Sequence, residues 1–293
     1  MTKFLTLTGF LFLALSSNQA ADKKVELSFV EHDQPIKRYS KSVKDSFSIF
    51  ISLPNDYDAN KTFPVVYLLD ANLYFDIMAT TIRKYSEVGL SPSLIVVGIG
   101  YKDFQTMDSL RNRDYTYPIA IPEYEMELSG GAERFLAFIS TELIPYIDKK
   151  YKTDTAHRIL AGHSLGGYFS LFALLQNLSG KTKDFSAYIA ASPSIAYNHY
   201  YLLNQFKEIG VQKSSGQKAK VYLTFGGLED AEAAEDPGMM RLGKTTAQLS
   251  KYLSQKQADF LQYKGDIYSN LDHMDTPIPS FLKGLQWIQD ETN

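Results

Sequence analysis

The sequence contains no cysteine. This absence excludes a disulfide-stapled scaffold, a zinc site with cysteine ligands, a thiol nucleophile and a lipid anchor on an N-terminal cysteine. Any covalent catalysis by this chain therefore has to use an oxygen or nitrogen nucleophile.

The sequence also lacks an excess of positive charge. Its 30 lysines and arginines are outnumbered by 33 aspartates and glutamates, which gives a formal net charge of −3. Nucleic acids and anionic membrane surfaces attract proteins with a broad positive field, so we expect no nucleic-acid partner. With 293 residues, 44% hydrophobic and 22% charged, the chain is large enough for one large α/β domain or two small ones.

Long apolar runs are absent after the first twenty residues. In that segment Lys3 is the only charged residue, a mainly apolar run extends from Phe4 to Leu15, and small and polar residues follow. This order is typical of a secretory signal, and the run is shorter than the ~20 residues of a membrane-spanning helix. We predict a signal peptide over residues 1–20, cleaved near Ala20 or Ala21. The mature protein would be periplasmic or secreted, without stable membrane insertion. An uncleaved membrane anchor is the alternative.

Apolar runs alternate with stretches of helical periodicity along the rest of the chain. Strands are predicted at residues 46–53, 64–69, 93–98, 159–161, 187–191, 221–225 and 260–268. Continuous apolar runs suit strands that are buried on both faces of a parallel sheet. Helices are predicted at 133–148, where Pro145 should kink or end the helix, at 242–253 and at 281–288. This alternation predicts a single α/β domain over residues 21–293, with a mostly parallel, doubly wound sheet flanked by helices and no large cap domain.

One motif carries most of the predicted chemistry. The segment Gly162-His163-Ser164-Leu165-Gly166 matches G-x-S-x-G and lies between a predicted strand and a helix that starts near Leu165. A nucleophile on such a sharp turn has a strained backbone, and side chains two residues to either side would collide, which explains the glycines. The positive end of the helix stabilises negative charge that develops on a reacting oxygen. A glycine-rich turn without chemistry is the alternative.

A serine nucleophile needs a histidine base, and the sequence offers five histidines. His273 follows the last predicted strand and precedes the last helix, which is the position of the base in the α/β-hydrolase order. We therefore rank it ahead of His199. His32, His157 and His163 are predicted to be structural or on the surface. A structural loop histidine is the alternative reading of His273.

The third member of a triad would be a carboxylate that follows the strand at 221–225 and orients the imidazole. Glu229 and Asp230 are both available there, and because they are adjacent, only one can face His273. Glu229 is preferred because it is the third residue after Gly226, and Asp230 is the alternative. The nearby acids lack the ordered alternation of a calcium loop, so a solvated face or loop is favoured over a metal site. Because Ser164 and His273 would supply nucleophile and base, we expect neither a metal nor an organic cofactor.

Several segments, in this order, carry a resemblance to a known family. They are Pro64–Asp70, Arg111–Thr116, Gly130–Ala132, Glu142–Ile147, the motif around Ser164, and Ser192–Ser194. Together they resemble the putative-esterase family of α/β-hydrolases, which contains esterase D, trilactone siderophore esterases, feruloyl esterases and mycolyltransferases. The resemblance extends from about residue 47 to 288.

The resemblance implies a serine hydrolase that acts on small-molecule carboxylic esters. Ser164, Glu229 and His273 match the triad positions, and backbone N–H groups of Leu165 and Asn72 would form the oxyanion hole. The family usually has Asp-Gly where this chain has Asp70-Ala71.

A tyrosine-rich loop at residues 104–126 is predicted to border the cleft. Arg113 and Tyr115 in this loop are candidates for substrate binding, and an ion pair of Arg113 with Asp114 or another loop acid is the favoured alternative for that residue. The predicted activity is that of an exported serine esterase, which cleaves a siderophore lactone or a short acyl or aryl ester through a serine acyl-enzyme. An acyltransferase with the same triad and a non-catalytic binding protein on a hydrolase fold are the alternatives.

Overall fold

The computed structural model of the protein describes residues 34–209, 218–229, 242–255 and 261–289. The predicted signal peptide at residues 1–20, His32 and the alternative triad acid Asp230 lie outside these ranges. No helix within them combines the length and apolar character that crossing a membrane requires.

Eight strands form one sheet in the order β1-β2-β4-β3-β5-β6-β7-β8. The strands are β1 (Ile36–Ser40), β2 (Asp45–Ser52), β3 (Phe63–Leu68), β4 (Ile95–Gly100), β5 (Thr153–His163), β6 (Ala187–Ala191), β7 (Ala219–Gly226) and β8 (Leu261–Tyr268). Strands β3 to β8 pair in parallel, and β2 joins β4 and β1 in antiparallel pairs. The predicted mostly parallel sheet is confirmed.

Helices cover both faces of this sheet. They are α1 (Ala71–Glu87), α2 (Phe104–Tyr115), α3 (Ala132–Phe138), α4 (Ile144–Lys150), α5 (Leu165–Leu178), α6 (Tyr197–Glu208), α7 (Leu242–Gln255) and α8 (Pro277–Gln289). Helices α1 and α8 pack on one face, and α2 to α7 contribute to the core on the other. In strand β3, alternate side chains enter the two cores, since Tyr67 lies in one and Val66 and Leu68 lie in the other.

The region predicted as a tyrosine-rich loop is partly helical, which corrects the sequence analysis. Residues Phe104–Tyr115 form α2, and the Asp103 side chain caps it by accepting a 2.8 Å hydrogen bond from the Thr106 backbone N–H. Among the α2 residues only Met107, Asp114 and Tyr115 are buried. The helix therefore lacks the apolar stripe by which a sequence reveals a helix.

Pro145 does not end its helix, but the helical hydrogen bonding is irregular directly before it. A π-helical turn at Ile139–Leu143 joins α3 to α4, and Pro145 lies in the first turn of α4. In the π-helical turn the Ile144 N–H bonds to the Ile139 carbonyl, five residues earlier, and this change of bonding accompanies a proline that has no N–H to donate. The chain thus remains helical from Ala132 to Lys150.

Candidate active site

Ser164 lies on the sharp turn between β5 and α5. Its backbone angles are φ 59° and ψ −120°, which a non-glycine residue adopts only at a cost of about 1–3 kcal/mol. A Cβ atom on Gly162 would lie 2.2 Å from the Gly166 carbonyl oxygen. This contact confirms that glycine is required at 162, and the turn exposes the Ser164 hydroxyl above the end of the sheet.

The structure brings Ser164, His273 and Glu229 together in one hydrogen-bonded row. The Ser164 Oγ lies 2.9 Å from His273 Nε2, and His273 Nδ1 lies 2.9 Å from Glu229 Oε2. The three residues come from different connections, since Ser164 follows β5, Glu229 follows β7 and His273 lies between β8 and α8. In a parallel sheet these connections meet at one edge, where α/β proteins bind ligands.

Glu229 is held by several donors. Its Oε1 accepts hydrogen bonds of 2.6 Å from the Ser192 hydroxyl and from the Gly226 backbone N–H. Burial by itself raises the pKa of a carboxyl, but the hydrogen bonds from His273, Ser192 and Gly226 hold the pKa of Glu229 below its ordinary value. The carboxylate is therefore charged at neutral pH and suited to orient an imidazole.

Glycine at the end of β7 permits the loop that carries His273 to come close. A Cβ atom on Gly226 would lie 2.5 Å from the Leu271 carbonyl oxygen and 2.8 Å from that of Asp272. The φ of Gly226 is not positive, so the glycine serves close approach of two backbone segments. The two segments are also joined by a hydrogen bond, since the Leu228 N–H donates to the same Leu271 oxygen at 3.1 Å.

The two residues expected to supply oxyanion donors lie at helix starts. Leu165 is the first residue of α5, and Asn72 lies in the first turn of α1, where backbone N–H groups have no intrahelical partner. The positive φ falls on Asp70, at 51°, and Ala71 is already helical. Alanine instead of the family's glycine at position 71 is therefore accommodated without backbone strain.

Two further contacts fix the start of α1. The Asp70 carboxylate accepts hydrogen bonds of 2.9 and 2.8 Å from the Arg111 guanidinium in a buried, bidentate ion pair. The Asn72 side chain accepts from the Tyr101 N–H at 2.7 Å and donates to the Tyr101 carbonyl at 3.0 Å. The first turn of α1 is therefore joined to α2 through the Asp70 side chain, and to the residue after β4 through the Asn72 side chain.

Ser194 is a neighbour of the row that the sequence analysis did not assign to the site. Its Oγ lies 3.2 Å from the Ser164 Oγ, and its backbone N–H donates to the Ser164 carbonyl at 3.1 Å. The Ser-Pro-Ser segment was visible in the sequence only as part of the family resemblance. Nothing in its composition marks a serine as a neighbour of a nucleophile.

The other described histidines differ in environment. His163 is buried and contacts Tyr74 and the backbone of His273. His157 is half-exposed and pairs with Asp154, and His199 is exposed on α6, outside the row. The structural or surface environments predicted for His157 and His163 are thus confirmed, but the contact of His163 with His273 was not foreseen.

Neither candidate for substrate binding faces the site as expected. The Arg113 guanidinium is occupied by Asp114 at 2.8 Å and Asp45 at 2.9 Å, which is the ion-pair alternative. Tyr115 is completely buried, and its hydroxyl accepts a hydrogen bond from the Asp70 N–H. The assignment of Tyr115 to substrate binding is corrected, because a side chain at the end of a helix packed into the core has no surface to offer.

Within the described ranges, no group of three or more histidine, aspartate or glutamate side chains is arranged to hold a metal ion.

A mostly parallel sheet with a serine on a strand-to-helix turn above its edge defines an α/β-hydrolase. The chain belongs to the family described as "Putative esterase", whose model matches residues 40–268. It is 36% identical over 202 residues to the ferri-bacillibactin esterase BesA of Bacillus subtilis, an alignment that covers 65% of this chain and 68% of the relative.

Two further relatives extend this picture. The siderophore enterobactin esterase of Emericella nidulans is 31% identical over 189 residues, which covers 58% of this chain and 60% of that protein. The crystal structure of the BES protein from Bacillus cereus superposes with a TM-score of 0.75 and 28% identity, covering 87% of this chain and 94% of that one. Family membership and these relatives support carboxylic ester hydrolysis as the activity.

Proposed function

We propose that this protein is an exported serine hydrolase that cleaves a carboxylic ester bond of a siderophore. The observation that carries the proposal is the continuous row from Ser164 through His273 to Glu229, with both intervals at 2.9 Å. A hydroxyl, an imidazole and a carboxylate in this sequence of contacts have the geometry of a nucleophile, a base and an orienting acid.

The first half-reaction forms an acyl-enzyme. The Ser164 Oγ attacks the ester carbonyl carbon while His273 Nε2 takes the hydroxyl proton. The carbonyl oxygen becomes an oxyanion that the N–H groups of Leu165 and Asn72 stabilise. When the tetrahedral intermediate collapses, the C–O bond to the alcohol breaks and His273 gives its proton to the departing oxygen. Glu229 keeps the imidazole in the tautomer that accepts at Nε2 and stabilises it while it is charged.

The second half-reaction releases the acid. Water attacks the acyl carbon and gives a proton to His273 Nε2. The ester bond to Ser164 then breaks, and Oγ recovers the proton from His273. The sum is hydrolysis of one ester bond with no net change in the enzyme.

The siderophore as substrate class and the export of the protein have separate support. Two relatives at 31% identity or more are named for their action on siderophores, ferri-bacillibactin and enterobactin. Export is supported by the charged, apolar and small-residue order of residues 1–20. N-terminal sequencing of protein recovered from the periplasm or the medium should begin near residue 21.

A turnover assay tests the proposal directly. The wild type, Ser164→Ala and the matched control Ser179→Ala are compared on a catecholate trilactone siderophore and on chromogenic esters of graded acyl length. Ser179 lies just after α5 and only bonds to the Leu175 carbonyl, so its variant should keep normal turnover. We expect hydrolysis of the trilactone to exceed that of simple esters and to vanish in Ser164→Ala.

Two other results would reject parts of the proposal. Retained turnover in Ser164→Ala would remove the serine mechanism. Transfer of the acyl group to an added alcohol, with little free acid formed, would show an acyltransferase that uses the same residues.

A further inference from the structure

His163 connects helix α1 to the loop that carries His273, the proposed base. It is the last residue of β5 and its side chain is 3% exposed. One ring nitrogen, Nδ1, lies 2.9 Å from the Tyr74 hydroxyl on α1, and the other, Nε2, lies 2.8 Å from the backbone carbonyl oxygen of His273. The imidazole rings of His163 and His273 are 4.7 Å apart between centroids.

The partners of the His163 ring determine where its proton lies. A carbonyl oxygen only accepts, so Nε2 must carry a hydrogen and donate to His273. Burial, together with the nearby His273, lowers the pKa of His163 to about 4, so the ring is neutral near pH 7 and Nδ1 is an acceptor. Burial raises the pKa of Tyr74, so its hydroxyl remains protonated and donates to Nδ1.

The His273 carbonyl oxygen accepts a second hydrogen bond, from a residue of its own loop. The Thr276 hydroxyl donates to it at 3.0 Å and lies 2.8 Å from the Ser192 hydroxyl. Ser192 in turn donates to Glu229. The His273 carbonyl is thus held by His163 of β5 and by Thr276, the residue before α8, which also lies next to the Ser192 hydroxyl that bonds to Glu229.

We propose that His163 is a positioning residue for His273, with Tyr74 fixing its tautomer. The inference rests on the proposed function, because it assigns a role toward the base of that reaction. Asp272 and Met274, on either side of His273, are exposed, so these neighbouring side chains do not hold His273 against the core. An anchor on the His273 carbonyl sets the direction in which the imidazole leaves the backbone and hence the distance from Nε2 to Ser164 Oγ.

The geometry predicts a defect in turnover and not in substrate binding. His163 is 3% exposed and so offers almost no surface to a substrate, whereas a shift of about 1 Å in the position of a base costs about 10²-fold in rate. We expect His163→Leu to lower kcat about 10²-fold while KM changes less than about twofold. In His163→Gln the amide nitrogen reaches about as far as Nε2 and can donate to the same carbonyl, so kcat should recover to within a few-fold of wild type.

Two matched controls separate positioning from general damage. His157→Gln makes the same exchange on the half-exposed histidine of the same strand and should leave kcat and KM unchanged. Tyr74→Phe removes only the donor to Nδ1 and should lower kcat about tenfold. Tyr188→Phe removes an equally buried hydroxyl, bonded to Asn177, and should lower stability alone.

Thermal melting and active-site titration are measured on every variant, so that kcat refers to folded enzyme. Wild-type kcat per folded site in both His163→Leu and Tyr74→Phe would overturn the inference. If His163→Leu does not fold, His163→Gln is compared with Tyr74→Phe. A kcat of His163→Gln that is as low as that of Tyr74→Phe would show that the glutamine does not replace the histidine, and would overturn the inference. Failure of the proposed function has a different signature, which is normal turnover in Ser164→Ala.

Discussion

The Glu229 side chain has three hydrogen-bond partners, whereas the side chains of Ser164 and His273 have two each. One oxygen faces His273 and the other accepts from Ser192 and from the Gly226 N–H, all at 2.6 to 2.9 Å. All three partners present hydrogens to a charged carboxylate. An uncharged amide of the same shape cannot accept at both positions, because one of them becomes an NH₂ group.

Glu229→Gln should therefore disable catalysis without unfolding the protein. An amide can hold the imidazole in the wrong tautomer, and in serine proteases this error costs about 10⁴ in turnover. Ester turnover and thermal melting are compared with Glu142→Gln, since Glu142 is also a charged acceptor of backbone and hydroxyl donors but is far along the chain from the row. Near-normal turnover in Glu229→Gln, beside a folded but inactive Asp230→Asn, would move the acid role to Asp230.

His163 also makes stability depend on pH. Its pKa is lowered from 6.5 to about 4 in the folded protein, so between these values the unfolded chain binds a proton that the folded protein does not. The free energy of unfolding therefore falls as pH is lowered from about 6.5 to about 4, by up to about 3 kcal/mol from this residue. Glu229, whose pKa is lowered from 4.5, adds a loss in the same direction at still lower pH.

Urea denaturation at several pH values between 7.5 and 4 measures this dependence. His163→Gln should show a shallower decline than wild type, and His157→Gln should follow wild type. Parallel curves for wild type and His163→Gln would show that the buried imidazole does not resist protonation.

The sequence predicted the residues of the row and missed what surrounds them. Ser164 could be found because glycines and a strand-to-helix change surround it, and His273 because chain order left few choices. His163 occupies a variable position of G-x-S-x-G, so the motif says nothing about its partners. The favoured ion pair of Arg113 with Asp114 is present, whereas Tyr115 was misjudged because α2 carries no apolar stripe and was read as a loop.

At the scale of elements, the ends of β7 and β8 must approach closely for the row to form. The Gly226 position leaves no space for a Cβ atom next to the Leu271 carbonyl, and the obstructing atoms belong to the backbone. Displacement of this backbone would move the loop that carries His273.

Gly226→Ala should therefore lower turnover in protein that is still folded. The added methyl group pushes the loop away by a substantial part of an ångström, and a shift of about 1 Å at a reacting group costs about 10²-fold. Gly265→Ala is the control, because a Cβ there meets the Tyr263 side chain, which bonds to Ser250, and not the loop that carries His273. Steady-state kinetics on both variants check the prediction. Equal kcat values for Gly226→Ala and Gly265→Ala would show that the loop accommodates the added methyl group without moving His273.

The predictable elements were the ones buried on both sides. Strand β6 was predicted with its observed bounds, residues 187–191, because each of its five residues is buried. Strand β1 was not predicted, since an edge strand of five residues with the sequence Ile-Lys-Arg-Tyr-Ser has only a weak apolar signal. Pro145 indicated an irregularity in the helix at 133–148, but the sequence pattern did not specify a π-helical turn.

At the scale of the whole molecule, the sheet brings the proposed nucleophile, base and acid and the proposed backbone donors from separate connections to one edge. Every group that the proposed reaction requires comes from the chain itself. The family match over residues 40–268 spans β2 to β8 and includes Ser164 and Glu229, and His273 follows five residues after its end.

Removal of divalent cations should accordingly leave ester turnover unchanged. Ser164 and His273 supply the nucleophile and the proton transfer, and backbone N–H groups stabilise the oxyanion, so no step needs a metal. Activity is measured after EDTA treatment and gel filtration on an iron-free ester substrate, so that chelation acts on the enzyme alone. Loss of activity that zinc or magnesium restores would contradict this account.

The central claim is that Ser164 is a nucleophile activated by His273, and covalent labelling tests it most directly. A fluorophosphonate is incubated with the wild type, Ser164→Ala and His273→Ala, and the adduct is located and counted by peptide mass spectrometry. The account predicts one adduct per wild-type molecule, on Ser164, none in Ser164→Ala and much slower labelling in His273→Ala. An unlabelled Ser164 in enzyme that still hydrolyses esters, or labelling that is equally fast without His273, would contradict it.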